Sequence, residues 1–177
     1  MIFFISDTHL FHANSLKWRR QFKSLDEMHK VIVENWNRVV SPEDTVYHLG
    51  DVFLTEAIRS KEILKSLNGN KILVRGNHDL KHNGWFKDAG FSEIHKVVYL
   101  SSPRNPGRLS YVITHYPLPY REIEALEGMG KQIINIHGHT HDSVDRSFTG
   151  NDVWNYPEKY INVSAEVVDY TPKLIDL

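Results

Sequence analysis

The chain has 177 residues, and its 21 lysines and arginines nearly balance 22 aspartates and glutamates, for a formal net charge of −1. This length fits one domain, residues 1–177, and the near-neutral charge argues against a protein that coats nucleic acid non-specifically. Cysteine is absent, which excludes disulfides, thiolate metal sites and cysteine nucleophiles. Histidine, by contrast, occurs 11 times, and several histidines lie in short clusters with glycine, asparagine and aspartate.

The first half of the chain alternates predicted strands with predicted helices. Three short apolar runs predict strands, at residues 2–5, 45–49 and 71–74. Ser24 and Glu27 match a capping box, which predicts a helix that ends before the proline at position 42. A second helix is expected around residues 55–67, with Ile58 on its inward face. We interpret the basic, irregular stretch that includes residues 17–23 as a solvated surface, with a nucleotide contact as the alternative.

The second half of the chain is richer in strands. Strand-like runs are predicted at residues 94–100, 109–114, 132–136 and 160–163, and a short helix is predicted at residues 120–127. Residues 142–159 form a polar and aromatic loop. Three aromatic residues lie between the last histidine pair and the final strand: Trp154, Tyr156 and Tyr160. In our interpretation they pack internally, with stacking on a base or an aryl group as the alternative. The alternation of strands and helices predicts an α/β layered domain whose functional residues lie at the carboxyl ends of strands.

Polar clusters follow five of the predicted strands. They contain seven residues with donor atoms suited to metal ions: Asp7, His9, Asp51, Asn77, His115, His139 and His141. Asp7 and His9 are two positions apart, as are His139 and His141, and in an extended segment that spacing points both side chains the same way. Seven mixed oxygen and nitrogen donors are too many for one tetrahedral zinc but suit two ions that share a carboxylate. Two ions ~3.5–4 Å apart can hold the attacking and leaving oxygens of a phosphoryl displacement.

The order of these motifs along the chain is more specific than any one of them. The motifs are Asp7-x-His9, Gly50-Asp51, Gly76-Asn77-His78-Asp79, His115 and Gly138-His139-x-His141. This ordered set resembles the calcineurin-like metallophosphoesterase family, and its small bacterial and phage members in particular. The resemblance runs from residue 5 to about residue 165. It implies a four-layer α/β/β/α sandwich with a binuclear metal site at the strand ends.

The resemblance also implies which residues bind the two ions. One ion takes Asp7, His9 and His141, the other takes Asn77, His115 and His139, and Asp51 bridges them. Mixed carboxylate, amide and imidazole ligands suit manganese first, with iron, zinc or nickel as alternatives.

The chemistry follows from the same resemblance. A hydroxide that bridges the ions attacks phosphorus in line with the leaving group. His78 protonates the leaving oxygen, and Asp79 orients His78. The family's nucleases carry a large cap or partner domain, and no such segment is visible in this sequence.

The remaining candidates are less specific. We expect His12, three residues after His9, to contact substrate, and Arg75 to bind a phosphate oxygen or to form a salt bridge. We interpret five other histidines as structural or as supports behind the ligands: His29, His48, His82, His95 and His137.

The sequence therefore predicts a metal-dependent hydrolase that acts on a small phosphodiester or phosphomonoester, with nucleotides among the candidates. Two alternatives remain open, a non-catalytic interaction module on the same fold and a nuclease for short single-stranded nucleic acid. The first apolar run is too short for a signal peptide, and no run reaches the length of a membrane span. We expect a cytoplasmic protein with no membrane contact and no stable nucleic-acid binding. The sequence does not specify the oligomeric state.

Overall fold

The computed structural model describes residues 1–142 and 152–177. The described residues contain nine strands: β1 (Ile2–Ile5), β2 (Thr45–His48), β3 (Asn70–Val74), β4 (Phe91–His95), β5 (Val98–Ser101), β6 (Leu109–Ile113), β7 (Gln132–His137), β8 (Tyr160–Asn162) and β9 (Lys173–Leu174). The first sheet has the order β4-β3-β2-β1-β9, with only β9 antiparallel to its neighbour. The second sheet has the order β5-β6-β7-β8, with only β5 antiparallel.

The helices cover the outer faces of these sheets. They are α1 (Leu25–Val39), α2 (Ala57–Ser66), α3 (Asn83–Asp88), α4 (Tyr120–Glu127) and α5 (Asp152–Asn155), with short 3₁₀ helices at Ala13–Lys17 and Pro157–Lys159. The predicted capping box is present, because the Ser24 side chain accepts a hydrogen bond from the backbone N–H of Glu27 at 3.1 Å. In the part of the chain that the structure describes, no helix combines the length and apolar character that crossing a membrane requires.

Three hydrophobic cores separate four layers. The first core lies between the first sheet and helices α1, α2 and α3, where Trp36 and Phe86 are fully buried. The second core lies between the two sheets, where Phe4 and Ile113 are buried. The third core lies between the second sheet and α4, and Ile123 is buried in it. The order helix, sheet, sheet, helix is the α/β/β/α sandwich that the resemblance implies, so the predicted fold class is confirmed.

The structure differs from the predicted elements in three places. The strand predicted at residues 94–100 is two strands, because β4 belongs to the first sheet and β5 to the second. Helix α3 was not predicted, since its sequence is too short to show a helical period, and it packs through Phe86. Ile58, expected on the inward face of α2, is 79% exposed because that helix packs through Leu64 and the following Leu67.

The carboxyl ends of the parallel strands meet along one edge of the sandwich. The backbone N–H of Ser6, just after β1, donates to the carbonyl oxygen of Val163, just after β8, at 2.9 Å. The N–H of Asp7 donates to the carbonyl oxygen of Gly50 at 2.9 Å. The first contact joins the two sheets, and the second joins neighbouring strand ends, so the polar residues that follow these strands converge.

Candidate metal centre

The backbone at the strand ends has an unusual conformation. Five of the seven predicted metal ligands have positive φ angles: Asp7 (56°), His9 (47°), Asp51 (54°), His139 (66°) and His141 (51°). The expectation of extended Asp-x-His and His-x-His segments is therefore wrong. Residues other than glycine rarely adopt this left-handed conformation, which costs about 1–3 kcal/mol each and concentrates at functional sites.

Two glycines allow these segments to approach one another. A Cβ atom on Gly76 would lie 2.2 Å from the Asp51 carboxylate, and one on Gly138 would lie 2.4 Å from the Asp7 carboxylate. Neither distance is compatible with a side chain, so only glycine fits at these positions. The glycines of the sequence motifs thus set the spacing of the strand ends.

The first cluster consists of Asp7, His9 and His141, whose donor atoms lie within 4.8 Å of one another and could hold a metal ion. The Nε2 atoms of His9 and His141 lie 3.8 and 3.9 Å from Asp7 Oδ1. The other Asp7 oxygen accepts hydrogen bonds from the side chains of Ser6 and Ser164 and from the backbone of His139. One carboxylate oxygen is thereby fixed, and the other faces the two imidazoles.

The inward-facing atoms of this cluster lack protein partners. Among the described residues, Asp7 Oδ1 and both ring nitrogens of His9 are buried without a hydrogen bond. Burial raises the pKa of Asp7 and lowers the pKa of His9 to about 2. Buried polar atoms are nearly always satisfied in proteins, and ligand imidazoles must be neutral, so this arrangement fits a bound cation.

A buried ion pair supports His141 from behind. Its Nδ1 lies 3.1 Å from Glu166 Oε1, and that carboxylate also accepts a 2.6 Å hydrogen bond from Arg19 Nε. Burial favours a higher pKa for Glu166, but the His141 hydrogen bond and the Arg19 charge outweigh burial and lower it to about 2. A carboxylate behind a ligand imidazole fixes the tautomer and orientation of the ring.

Arg19 corrects the interpretation of the basic stretch. We expected residues 17–23 to be a solvated surface, yet the Arg19 side chain is fully buried and donates to the carbonyl oxygens of Asp7 and Thr8. Lys17 and Arg20, on either side of it along the chain, are exposed. Neither Arg19 nor Glu166 belongs to a local sequence pattern, so the sequence alone did not reveal this pair.

The second cluster consists of Asp51, His115 and His139, which also could hold a metal ion. His115 Nδ1 lies 2.7 Å from the Leu49 carbonyl oxygen, so Nδ1 carries a proton and Nε2 faces the site. Nε2 lies 3.2 Å from His139 Nδ1 and 3.0 Å from the side-chain oxygen of Asn77. The donor atoms of the three side chains thus converge on one point of the site.

The electrostatics of this cluster also favour a cation. Burial lowers the pKa of His115, but the Asp51 hydrogen bond and the nearby Asp7 and Asp51 charges outweigh burial and raise it. Burial raises the pKa of Asp51, but contacts with His115, the His78 N–H and His9 bring it down to about 2. Burial lowers the pKa of His139 to about 4. The space beside His115 Nε2 therefore favours positive charge.

One oxygen connects the two clusters. Asp51 Oδ2 lies 3.9 Å from Nε2 of His9 in the first cluster and 3.5 Å from Nε2 of His115 in the second. The same oxygen lies 3.9 Å from Nε2 of His78, whose side chain is 41% exposed. His78 thus stands at the open side of the centre, while the two clusters are mostly buried beneath it.

Asp79 has a different surrounding from the one expected. Its carboxylate accepts hydrogen bonds from the backbone N–H groups of Asp51 (2.9 Å), Val52 (3.0 Å) and Gly76 (2.8 Å). Within the described residues it makes no hydrogen bond to the His78 ring. Asp79 therefore holds two ligand-bearing loops together, and the geometry does not support the predicted role of orienting His78.

The two predicted substrate contacts differ in position. The His12 ring lies 5.3 Å from the His9 ring and 6.5 Å from the His78 ring, measured between centroids, so the structure brings it to the centre. The Arg75 guanidinium lies 5.2 Å from the Phe86 ring, and neither a salt bridge nor a contact with a candidate ligand is found for it among the residues described. The structure thus leaves Arg75 outside the cluster.

The other histidines have structural surroundings. His29 accepts a hydrogen bond from the Phe11 N–H, and His82 accepts one from the N–H of Trp85 in α3. His48 contacts the Thr8 hydroxyl at 3.0 Å. His137 contacts the backbone beside it, and His95 contacts Glu93.

The aromatic loop near the end of the chain is described in part. Tyr156 stacks on Tyr120 at 3.6 Å between ring centroids, and the Tyr160 hydroxyl donates to the Leu118 carbonyl oxygen. These two tyrosines pack internally, as our first interpretation of them states. Residues 143–151 and the Trp154 side chain lie outside the described residues, so the expectation for Trp154 stays a prediction.

An α/β/β/α sandwich with two clusters at its strand ends that could hold metal ions defines the class of protein. Residues 1–155 match the model of the calcineurin-like phosphoesterase superfamily domain, and the chain belongs to this superfamily of metal-dependent hydrolases. An uncharacterized protein of Methanocaldococcus jannaschii is 34% identical over 99% of this chain and 88% of its own length.

Solved structures show the same fold. A protein of unknown function from Aquifex aeolicus is 30% identical, with a TM-score of 0.74 over 97% of this chain and 94% of the other. A structure described as that of a novel archaeal phosphodiesterase is 23% identical, with a TM-score of 0.50 over 91% of this chain and 81% of the other. The latter similarity concerns the fold alone.

Proposed function

We propose that this chain is a phosphodiesterase that binds two divalent metal ions, with manganese as the first candidate and iron, zinc or nickel as alternatives. The observation that carries the proposal is the position of Asp51 Oδ2, which faces an imidazole nitrogen of each cluster, at 3.9 and 3.5 Å. A carboxylate in that position is suited to bridge two ions. Membership of a phosphoesterase superfamily supports the same conclusion.

The residues present fit two cations. In the first cluster, the buried Asp7 oxygen and the His9 ring nitrogens have no other partner among the described residues. Asp7, His9 and His141 would hold one ion. Asn77, His115 and His139 would hold the other, with Asp51 shared. Carboxylate, amide and imidazole donors together suit first-row divalent ions.

The ions, when bound, supply an activated water nucleophile and neutralise charge on the phosphoryl oxygens. The protein's own contribution is to position and protonate. Asp79 and the glycine contacts hold the ligand loops in place, and the Arg19–Glu166 pair holds His141. His78, exposed and 3.9 Å from Asp51 Oδ2, is in position to donate a proton to a leaving oxygen above the centre.

The substrate we propose is a small phosphodiester, with nucleotide esters included. The exposed His78 side indicates an open site, and we expect diesters to be hydrolysed at least as well as simple monoesters. The test is a panel of p-nitrophenyl phosphate, bis-p-nitrophenyl phosphate, 2′,3′-cyclic nucleotides and short single-stranded oligonucleotides, each with added Mn²⁺. Strong monoester turnover with none on any diester would contradict the diester preference.

Metal analysis gives an independent test. After loading with Mn²⁺ and removal of free metal, we expect about two ions per chain. A chain that holds a single ion and has full activity would rule out the shared role of Asp51. A chain that binds metal and hydrolyses nothing in the panel would favour the non-catalytic module.

A further inference from the structure

Two exposed aromatic side chains border the metal centre, and each contacts a different cluster. Trp18 lies against His141 of the first cluster, with ring centroids 6.0 Å apart. Tyr116 lies against His139 of the second cluster, with ring centroids 4.1 Å apart. Trp18 is 42% exposed and Tyr116 is 47% exposed. Neither residue has a place in the proposed chemistry.

Trp18 is held in one orientation. Its indole N–H donates to Glu166 Oε1 at 3.2 Å, the same atom that contacts His141. Its ring meets His12 edge-to-face, with centroids 5.4 Å apart and an interplanar angle of 76°. The nitrogen is therefore hydrogen-bonded, and 42% of the residue remains exposed.

Tyr116 packs against two rings, and its backbone is also hydrogen-bonded. Its ring also meets His115 edge-to-face, with centroids 5.1 Å apart, and its carbonyl oxygen accepts a 2.6 Å hydrogen bond from the Thr114 hydroxyl. The two rings of the second cluster thus support one side of Tyr116, and about half of the residue stays accessible.

Fixed, exposed aromatic surface beside a reactive centre is suited to bind a planar group. Leaving such surface in water is unfavourable, and stacking a base on it contributes about 1–3 kcal/mol. Trp18 and Tyr116 contact candidate ligands of different clusters, so a phosphodiester bound at the centre would have one aromatic side chain beside each cluster. Exposed Lys17 and Arg20 flank Trp18 along the chain and would favour an anionic substrate.

We propose that Trp18 and Tyr116 are two stacking surfaces that select a phosphodiester with a planar group on each side, such as two linked nucleosides. The inference rests on the proposed function and specifies its substrate class. It assigns the two side chains to substrate binding, whereas the alternative is that Trp18 serves only to support Glu166.

The test uses two esters with the same leaving group. Thymidine 5′-p-nitrophenyl phosphate carries a planar group on both sides, and methyl p-nitrophenyl phosphate carries one on the leaving side only. With the Mn²⁺-loaded full chain, we expect Trp18→Leu and Tyr116→Leu each to raise KM for the thymidine ester about tenfold. For the methyl ester we expect the two variants to differ, with a rise in KM for only one of them.

Control variants separate stacking from support. Trp18→Phe keeps a ring but lacks the N–H that bonds Glu166, so under the proposal it should retain most of the affinity for the thymidine ester. Tyr99→Leu removes a more exposed aromatic residue (63%) on β5, away from the clusters, and should change KM for neither ester. The proposal is wrong if Trp18→Phe and Trp18→Leu have the same defects: a lower metal content, and a kcat that falls equally for both esters.

Failure of the proposed function has a distinct result. If the metal-loaded chain hydrolyses neither ester, the function is wrong, and calorimetric titration with thymidylyl-thymidine then tests the stacking surfaces by themselves. A roughly tenfold weaker affinity in each leucine variant would support them. Equal affinity in the variants and the parent chain, or no binding at all, would overturn them.

Discussion

The two candidate metal-binding clusters are supported in different ways. The first cluster depends on distant side chains, since Glu166 and Arg19 hold His141 from behind. The second depends on backbone, since the Leu49 carbonyl oxygen fixes His115 and the N–H of His78 fixes Asp51. A backbone partner is present whatever the side chain, whereas a side-chain partner is lost in one substitution. Substitution of Glu166 therefore removes a direct partner of a ligand ring in the first cluster, whereas His115 in the second keeps its backbone partner. In the second cluster the supporting side chain is Asp79, which acts through the backbone of Asp51 and Gly76.

The largest effect is expected from a substitution at Asp51, the residue common to both clusters. Asp51→Asn preserves the shape of the side chain but removes the charge that faces both His9 and His115. A residue that only supports a ligand of one ion contributes about 10–100-fold to activity. Because Asp51 faces both proposed ions directly, we expect activity to fall on the order of 10⁴-fold. Metal content should fall for both sites. Asp88→Asn, which changes an aspartate whose side chain is 75% exposed, is the control. Normal metal content in Asp51→Asn would show that the clusters are independent.

His78 comes from the same loop as Asn77 of the second cluster, but its ring lies 5.7 Å from His9 of the first. As a proton donor, it matters in proportion to the basicity of the leaving oxygen. We expect His78→Ala to lose about 10²–10⁴-fold on nucleotide or alkyl esters, to lose little on p-nitrophenyl esters, and to keep both ions. The ratio of rates on the two kinds of ester is the measurement. An equal loss on both, or loss of an ion, would show that His78 acts as a ligand.

Glu166→Gln tests the side-chain support of the first cluster directly. The substitution removes the charge behind His141, and we expect the affinity of one of the two metal sites to fall about 10–100-fold. Calorimetric titration with Mn²⁺ should then resolve one weakened and one unchanged site. Glu93→Gln removes a carboxylate that pairs with a histidine on the surface, and it should leave both sites unchanged. Equal weakening of both sites would mean that the two clusters share their support.

The smallest expected effect concerns stability near the first cluster. His29 accepts a hydrogen bond from the Phe11 N–H, two residues after the ligand His9, and burial lowers the pKa of His29 to about 4 from its ordinary 6.5. Because the folded value is the lower one, the unfolded chain takes up the proton first, and stability falls as the pH falls from 6.5 towards 4. His29 should contribute a loss of about 2 kcal/mol between pH 7 and pH 5.

His29→Gln keeps an acceptor for the Phe11 N–H but does not titrate. Urea unfolding of the metal-free chain at the two pH values should therefore show a smaller loss in this variant. His48 and His137 are also buried with lowered pKa values, so part of the pH dependence should remain. The same loss in the variant and the parent chain would exclude His29 as a source.

The sequence contained enough to predict what the backbone topology brings together. Parallel strands end at one edge of a sheet, so polar residues after β1, β2, β3, β6 and β7 had to converge, and the glycine motifs marked the close approaches. The sequence could not predict which side chains from distant positions contact one another. Glu166 is a lone acid after β8, and Arg19 lies within a basic run, so only the folded chain reveals that they pair.

The backbone conformation of the ligand segments was the second feature that the sequence did not predict. A spacing of two residues indicates a common face only in an extended strand, and Asp7, His9, His139 and His141 are left-handed instead. Likewise, Asp79 follows His78 in sequence, but its carboxylate is turned to the N–H groups of other residues. Sequence proximity therefore predicted a partnership that the structure does not support.

The left-handed backbone at five candidate ligand positions should also affect how readily the metal-free protein opens locally. At about 1 kcal/mol or more each, the strain in these loops approaches the net stability of a typical domain, about 5–15 kcal/mol. Under the proposed function, ion binding would offset that strain, because the candidate ligand atoms of each cluster lie within 4.8 Å of one another in this conformation. Removal of the proposed ions with a chelator should therefore leave the loops after β1, β2 and β7 strained. We expect their amide hydrogens to exchange before those of the strands that precede them.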